Sequence, residues 1–100
     1  MKNYFIFNLK DITTENEVIN MKMACNHFTF EQINDSTDVI DISLMGSIDG
    51  NTWFELVKST NIGTEVVHVI NKPVQKIKVV VNNLGNGTKV DVNILAVYNI

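Results

Sequence analysis

Cys25 and His27 stand two residues apart. On a strand that spacing puts a thiol and an imidazole on one face, where the ring could activate the thiolate as a nucleophile. The plainer reading is a half-buried thiol beside a surface histidine, because no third group is spaced to orient the ring. His68 falls on the polar-mixed face of its own run with no partner in sequence. One cysteine and two histidines at these spacings match no zinc pattern. Asp35, Asp38, Asp41 and Asp49, with Asn51 and Glu55, carry the hard oxygen ligands that calcium takes, yet their spacing is not that of an EF-hand. Asp and Asn are also the usual residues of turns, so no metal is expected. Paired catalytic carboxylates, GxSxG, GxxxxGK[ST] and GxGxxG are all missing, and Gly85 and Gly87 are not followed by a helix. The expectation is a protein that is not an enzyme and needs no cofactor.

Composition narrows the class. One hundred residues, 45% hydrophobic and 19% charged, with a mean hydropathy of +0.07, predict a single domain over 1–100 with one core. The net charge is −3, and all 8 basic residues are lysines. Lys72, Lys76, Lys78 and Lys89 gather toward the C-terminal end, but without Arg or interleaved aromatics they read as a solvated face or as the contact for an acidic partner. No nucleic acid and no membrane are expected as partners. A lone cysteine fits a reducing compartment, and the short apolar run Tyr4-Phe5-Ile6-Phe7 is far below a signal h-region or a span, so a cytoplasmic origin is expected. Asn34-Asp35-Ser36 and Asn86-Gly87-Thr88 satisfy the glycosylation acceptor rule only as accidents of an Asn-rich chain.

Period-two alternation marks nearly every patterned segment. Phe5, Phe7 and Leu9 share one face of the first run, while Tyr4 and Ile6 make its other face apolar, as in a strand covered on both sides or lying at a contact. Phe28 and Phe30 alternate with Thr29 and Glu31. Ile40, Ile42, Leu44 and Ile48 face away from Asp41, Ser43 and Ser47. Val67 and Val69 oppose Val66, His68 and Ile70; Ile77, Val79 and Val81 oppose Lys76 and Lys78; Val90, Val92, Ile94, Ala96 and Tyr98 oppose Lys89, Asp91 and Asn93. Asp49-Gly50 and Asn86-Gly87 predict two tight hairpins, and Pro73 suits a strand entry. Residues 14–25 fit a short capped helix or a strand, with the strand preferred. Seven or eight short strands with turn signals between them predict an all-β chain, a single antiparallel β-sandwich of jelly-roll, discoidin-like or Ig-like type.

The most specific stretch runs from Ile42 to Leu56. Its core of Gly46, Ser47, Asp49, Gly50, Thr52 and Trp53 resembles the Gly-Ser-x-Asp-Gly-x-Thr-Trp hairpin of discoidin-like β-sandwiches and of small virion proteins of tailed bacteriophages. A valine-rich strand like Pro73 to Val81 follows in both groups, and in the phage group a further hairpin like Leu84 to Val92 closes the chain. The likeness covers about Phe28 to Ile100. Discoidin ligand loops lie outside the matching motif, so no sugar or lipid site carries over to a residue here. The resemblance implies a structural protein of a phage particle, a capsid decoration or auxiliary protein made in the bacterial cytoplasm and resident on the virion. It would bind the major capsid protein or another virion protein and self-associate, with a trimer as the analogy. Tyr4, Phe5, Ile6, Tyr98 and Ile100 are the expected contacts. The alternative is a carbohydrate-binding or adhesion module, with Trp53 and Tyr98 as its sugar platforms.

Overall fold

The computed structural model describes residues 3–98 and contains eight strands. They are β1 (Tyr4–Ile12), β2 (Ile19–Cys25), β3 (His27–Asn34), β4 (Asp41–Ser47), β5 (Phe54–Ser59), β6 (Glu65–Val69), β7 (Val74–Asn83) and β8 (Val90–Val97). Two four-stranded sheets result, ordered β1-β8-β3-β6 and β2-β7-β4-β5, with every pairing antiparallel. This is the order of a jelly roll, in which the chain crosses between sheets at every connection except β4 to β5 and both terminal strands end up side by side.

The alternation seen in the sequence explains the layering. Residues at every second position of β8 (Val90, Val92, Ile94, Ala96) are buried, as are Phe28 and Phe30 of β3, Ile42 and Leu44 of β4, and Ile77 and Val79 of β7. Each sheet turns one apolar face to the other, and the two faces form a single core. At one side of the core β5 and β6 pack together; at the other, β1 and β2 make no extended contact. Phe5, Phe7 and Leu9 of β1 face the core from that open side and stay half-buried.

Residues 19–25 are a strand. Thr14 and Asn16 extend the same edge, Val81 N–H donating to the Thr14 carbonyl at 2.6 Å and Asn16 N–H to that of Val79 at 2.9 Å. The register of β2 against β7 breaks between Asn20 and Cys25, where Lys22 takes a φ of 65°. A β-branched or bulky side chain would be strained there.

Two expectations need correction. Asp49-Gly50 does join paired strands, but through a six-residue loop from Ile48 to Trp53, not a two-residue turn. Asn86-Gly87 closes no hairpin at all, because β7 and β8 lie in different sheets. Its turn carries the chain across the sandwich. The Asn86 carboxamide oxygen accepts from Thr37 N–H at 2.8 Å, and Ser36 Oγ donates to it at 3.1 Å, tying the crossing to the β3–β4 loop. Gly85, not Gly87, adopts the left-handed conformation, with φ 61°. Both β7 and β8 bury valines on one face, and in opposite sheets those faces meet across the core.

Candidate functional site

The strand order brings residues of four sequence-distant strands into two rows on the outer face of the β1-β8-β3-β6 sheet. Ile6 lies opposite Leu95, Leu95 opposite Thr29, and Thr29 opposite His68; one row along, Asn8, Asn93, Glu31 and Val66 align in the same way. A shallow groove of about 270 Å³ runs over these residues, lined by Ile6, Thr29, Glu31, Val66, Asn93 and Leu95. Its polar groups bond one another. Asn93 Nδ2 donates to Glu31 Oε1 at 2.8 Å, and Thr29 Oγ1 lies 3.2 Å from His68 Nδ1. What the groove offers a partner is therefore apolar surface, with Ile6 59% and Val66 46% exposed. Sequence reading found Ile6 but missed Thr29, Glu31, Val66, Asn93 and Leu95. They are unremarked outward positions of three strands until the order 8-3-6 sets them side by side.

The β4–β5 loop is built around one carboxylate. Asp49 Oδ1 accepts from Asn51 N–H at 2.8 Å, from Thr52 N–H at 3.0 Å and from Ser47 Oγ at 3.2 Å, while Gly50 N–H donates to Ser47 Oγ at 2.8 Å. The N–H groups of Thr52 and Asn51 hold the Asp49 carboxyl below its usual value by stabilising the charged form. Gly50 supplies the φ of 85° that the loop requires. Gly46 belongs to the strand, buried on β4 beneath Leu56 and Val74.

Trp53 is not a core residue. It is half-buried outside the core cluster, with Lys78 Nζ 4.5 Å from its ring centroid. The same ammonium lies 3.3 Å from Glu15 Oε1. A tryptophan opening a strand at the surface end of β5 meets the outward face of β7, where the long lysine side chain covers one face of its ring. Ile48 and Phe54 on either side of this loop are exposed.

Cys25 and His27 share no face, since Cys25 ends β2 in one sheet and His27 begins β3 in the other. The thiol is fully buried, and burial pushes its pKa up, away from the reactive thiolate. His27 Nδ1 accepts from Asn71 N–H at 3.4 Å. The acidic residues scatter: Asp35 accepts from Thr88 N–H, Asp38 from Val39 N–H and Asp41 from Asn82 Nδ2. Among the described residues no three His, Cys, Asp or Glu side chains gather as a cation cage. Lys72 donates to the Leu56 carbonyl, and Lys89 pairs with Asp11 at 2.9 Å.

Of the expected contacts, Tyr4 and Ile6 lie outward on β1. Phe5 instead turns toward the core and packs on Tyr98, ring centroids 5.4 Å apart, and on Phe7 at 6.1 Å. Tyr98 is thus a half-buried neighbour of the core, not a displayed platform. Ile100 lies outside the described residues.

No protein-family model matches the chain, and no curated protein matches it in sequence. Solved structures do match in shape. The SPBc2 prophage-derived protein YomS superposes with a TM-score of 0.66 at 13% identity, over 95% of this chain and 93% of that one. The carbohydrate-binding module CBM32-3, from a family 31 glycoside hydrolase of Clostridium perfringens, gives 0.59 at 13% identity over 93% of this chain and 75% of its own. CBM32-1 from a family 31 glycoside hydrolase of the same organism gives 0.50 at 21% identity, over 94% and 76%. The chain has a discoidin-like β-sandwich fold.

Proposed function

We propose that this chain is a non-enzymatic structural protein of a tailed-phage virion, a capsid decoration or auxiliary protein made in the host cytoplasm. It docks on the major capsid protein or another virion protein of the exterior and self-associates there. The observation that carries this reading is the outer face of the β1-β8-β3-β6 sheet, apolar at Ile6, Val66 and Leu95, with its polar groups already bonded to one another. Such a face suits repeated, chemistry-free contact. The near end-to-end likeness to a prophage-derived protein supports the same reading. So does the separation of Cys25 from His27 and the burial of the thiol, which leave no assembled nucleophile and base between them.

The test is co-sedimentation of the purified protein with phage capsids that lack it. Saturable binding at a lattice-related stoichiometry is expected, lost in Ile6→Asp and Val66→Asp. Absence of binding refutes the capsid role.

The likeness to CBM32 modules favours a second reading, a carbohydrate-binding module of a fibre or tail. Against it, Lys78 occupies one face of the Trp53 ring, and Tyr98 packs on Phe5. A glycan array that yields hits abolished by Trp53→Ala would establish this second reading in place of the first.

A further inference from the structure

Each sheet ends in two edge strands, and an edge strand presents a row of backbone donors and acceptors to any chain that can reach it. The four edges here differ. β5 carries Glu55 and Lys58, β6 carries Glu65 and His68, and β2 is broken by the positive φ of Lys22. Only β1 runs for six residues, Tyr4 to Leu9, without a charge, a proline or a bulge; its register shift comes after Leu9. Among the described residues its one strand neighbour is β8.

The hydrogen-bond phase of this edge follows from one bond. Tyr98 N–H donates to the Asn3 carbonyl at 2.9 Å, so Asn3 and Tyr98 form a hydrogen-bonded pair of the β1–β8 ladder. Antiparallel ladders alternate. The polar groups of Phe5, Phe7 and Leu9 therefore face β8, and those of Ile6 and Asn8 face away from it.

We infer that two copies of this chain pair antiparallel through β1 across a two-fold axis at Phe7, joining their two sheets into one of eight strands. In that register Ile6 lies opposite the partner's Asn8 and Asn8 opposite the partner's Ile6, so the outward-facing backbone groups of both are satisfied. Tyr4 meets the partner's Lys10, a cation against an aromatic ring; Lys10 is 65% exposed and exchanges its 3.8 Å pairing with Asp91 for that contact. On the inner face Phe5 meets the partner's Leu9, and Phe7 meets the partner's Phe7. These are the core-facing side chains that β2 leaves half-covered, and the second copy supplies the missing cover. A two-fold axis demands a self-complementary strip, which an uncharged run flanked by an aromatic and a lysine provides. A strip of seven residues a side is well short of the roughly 20 to 30 residues a side of a standard interface, so the free dimer is a weak, transient one.

This pairing deepens the self-association in the proposed function and takes nothing from the capsid assignment. It is tested on the purified protein alone, by sedimentation equilibrium from low to high micromolar concentration. The mass is expected to rise from 11.3 kDa toward twice that value. Asn8→Pro removes an N–H that β8 does not use, so it should melt like the wild type at low concentration and stay monomeric at high concentration. Asn8→Ala should dimerise normally. Ile6→Lys, a second edge variant, should also be monomeric, because it sets charge on both sides of the axis. A wild-type monomer at high micromolar concentration, a trimer, or wild-type dimerisation by Asn8→Pro or Ile6→Lys would overturn the inference. A monomer would still leave capsid docking open to the co-sedimentation test.

Discussion

Gly46→Ala tests how tightly the core is packed under the β4–β5 hairpin. Gly46 pairs with Phe54 on one side and Ile77 on the other, and a Cβ built on it would lie 2.9 Å from Val74 Cγ1 and 3.0 Å from both Leu56 methyls. Carbon atoms do not approach so closely, and Val74 is β-branched with little rotamer freedom, so the strand must move. Overpacking of this kind costs about 1–3 kcal/mol. Loss of glycine's freedom in the unfolded chain returns about 0.4–1 kcal/mol. The net loss is about 1.5 kcal/mol, which for a domain of this size lowers Tm by roughly 6–12 °C. Thermal unfolding followed by circular dichroism reads it directly. Val74→Ala in the same chain removes the nearest atom, so the double variant should be less destabilised than the sum of the singles by about 0.5–2 kcal/mol. Gly63 supplies the control. A Cβ there meets nothing within 4 Å, and only its φ of 78° opposes alanine, at about 1 kcal/mol. An alanine at position 46 that melts at or above the wild type, or a strictly additive double variant, refutes the packing argument.

Gln32 is fully buried and donates to Ser59 Oγ at 3.3 Å and to the Gly63 carbonyl at 2.7 Å, linking β3 to the β5–β6 connection. Gln32→Leu should lose about 1–3 kcal/mol, read as a lower urea midpoint at unchanged m-value. The Cys25 thiol should ignore a water-soluble disulfide reagent in the native protein and react at once in denaturant; prompt native labelling would contradict its burial. Asp49 has a folded-state pKa below the usual 3.8, so its contribution to stability is complete above that value and is lost as pH falls through the lower folded value. Asp49→Ala should therefore melt below the wild type near neutral pH and converge on it in acid. Lys89 runs the other way. Asp11 raises its pKa above 10.5, so the pair's contribution is present below that pH and vanishes as pH rises through the folded value; Asp11→Asn should erase the alkaline part of the stability profile.

Strand content was legible because it is a local property. Alternation over Phe28 to Phe30, Ile40 to Leu44 and Val90 to Ala96 reports a buried side, and the structure buries those side chains. The β4 run fails at Ile48, which is exposed beyond the end of the strand, and at Ser43 and Ser47, which are buried on the face read as polar. Sheet membership is not local. Asn86-Gly87 carries the same turn chemistry as a hairpin, and nothing in those residues says whether the next strand joins its neighbour or crosses the core. Asn26, between Cys25 and His27, hides a change of sheet in the same way. The surroundings of Trp53 were not legible either, because the hairpin motif does not say which strand will cover the ring, and here a lysine from β7 does so. The groove residues of β3, β6 and β8 become neighbours only through pairings that depend on the whole fold.

Of the six strand pairings among the described residues, β4 with β5 is the only one between strands adjacent in the chain, and β1 pairs with β8, the last of the eight to be made. Contacts this distant fold slowly, on millisecond to second scales. On the ribosome the limit is set earlier. The first strand waits for the eighth, so Phe5, Phe7 and Leu9 are without their sheet until translation has passed Val97. At about 5–20 residues per second, that leaves the chain's apolar N-terminal strand exposed for roughly 5–20 s in every round of synthesis. For that interval its apolar side chains are open to aggregation, which makes yield in the cell a matter of timing as much as of stability.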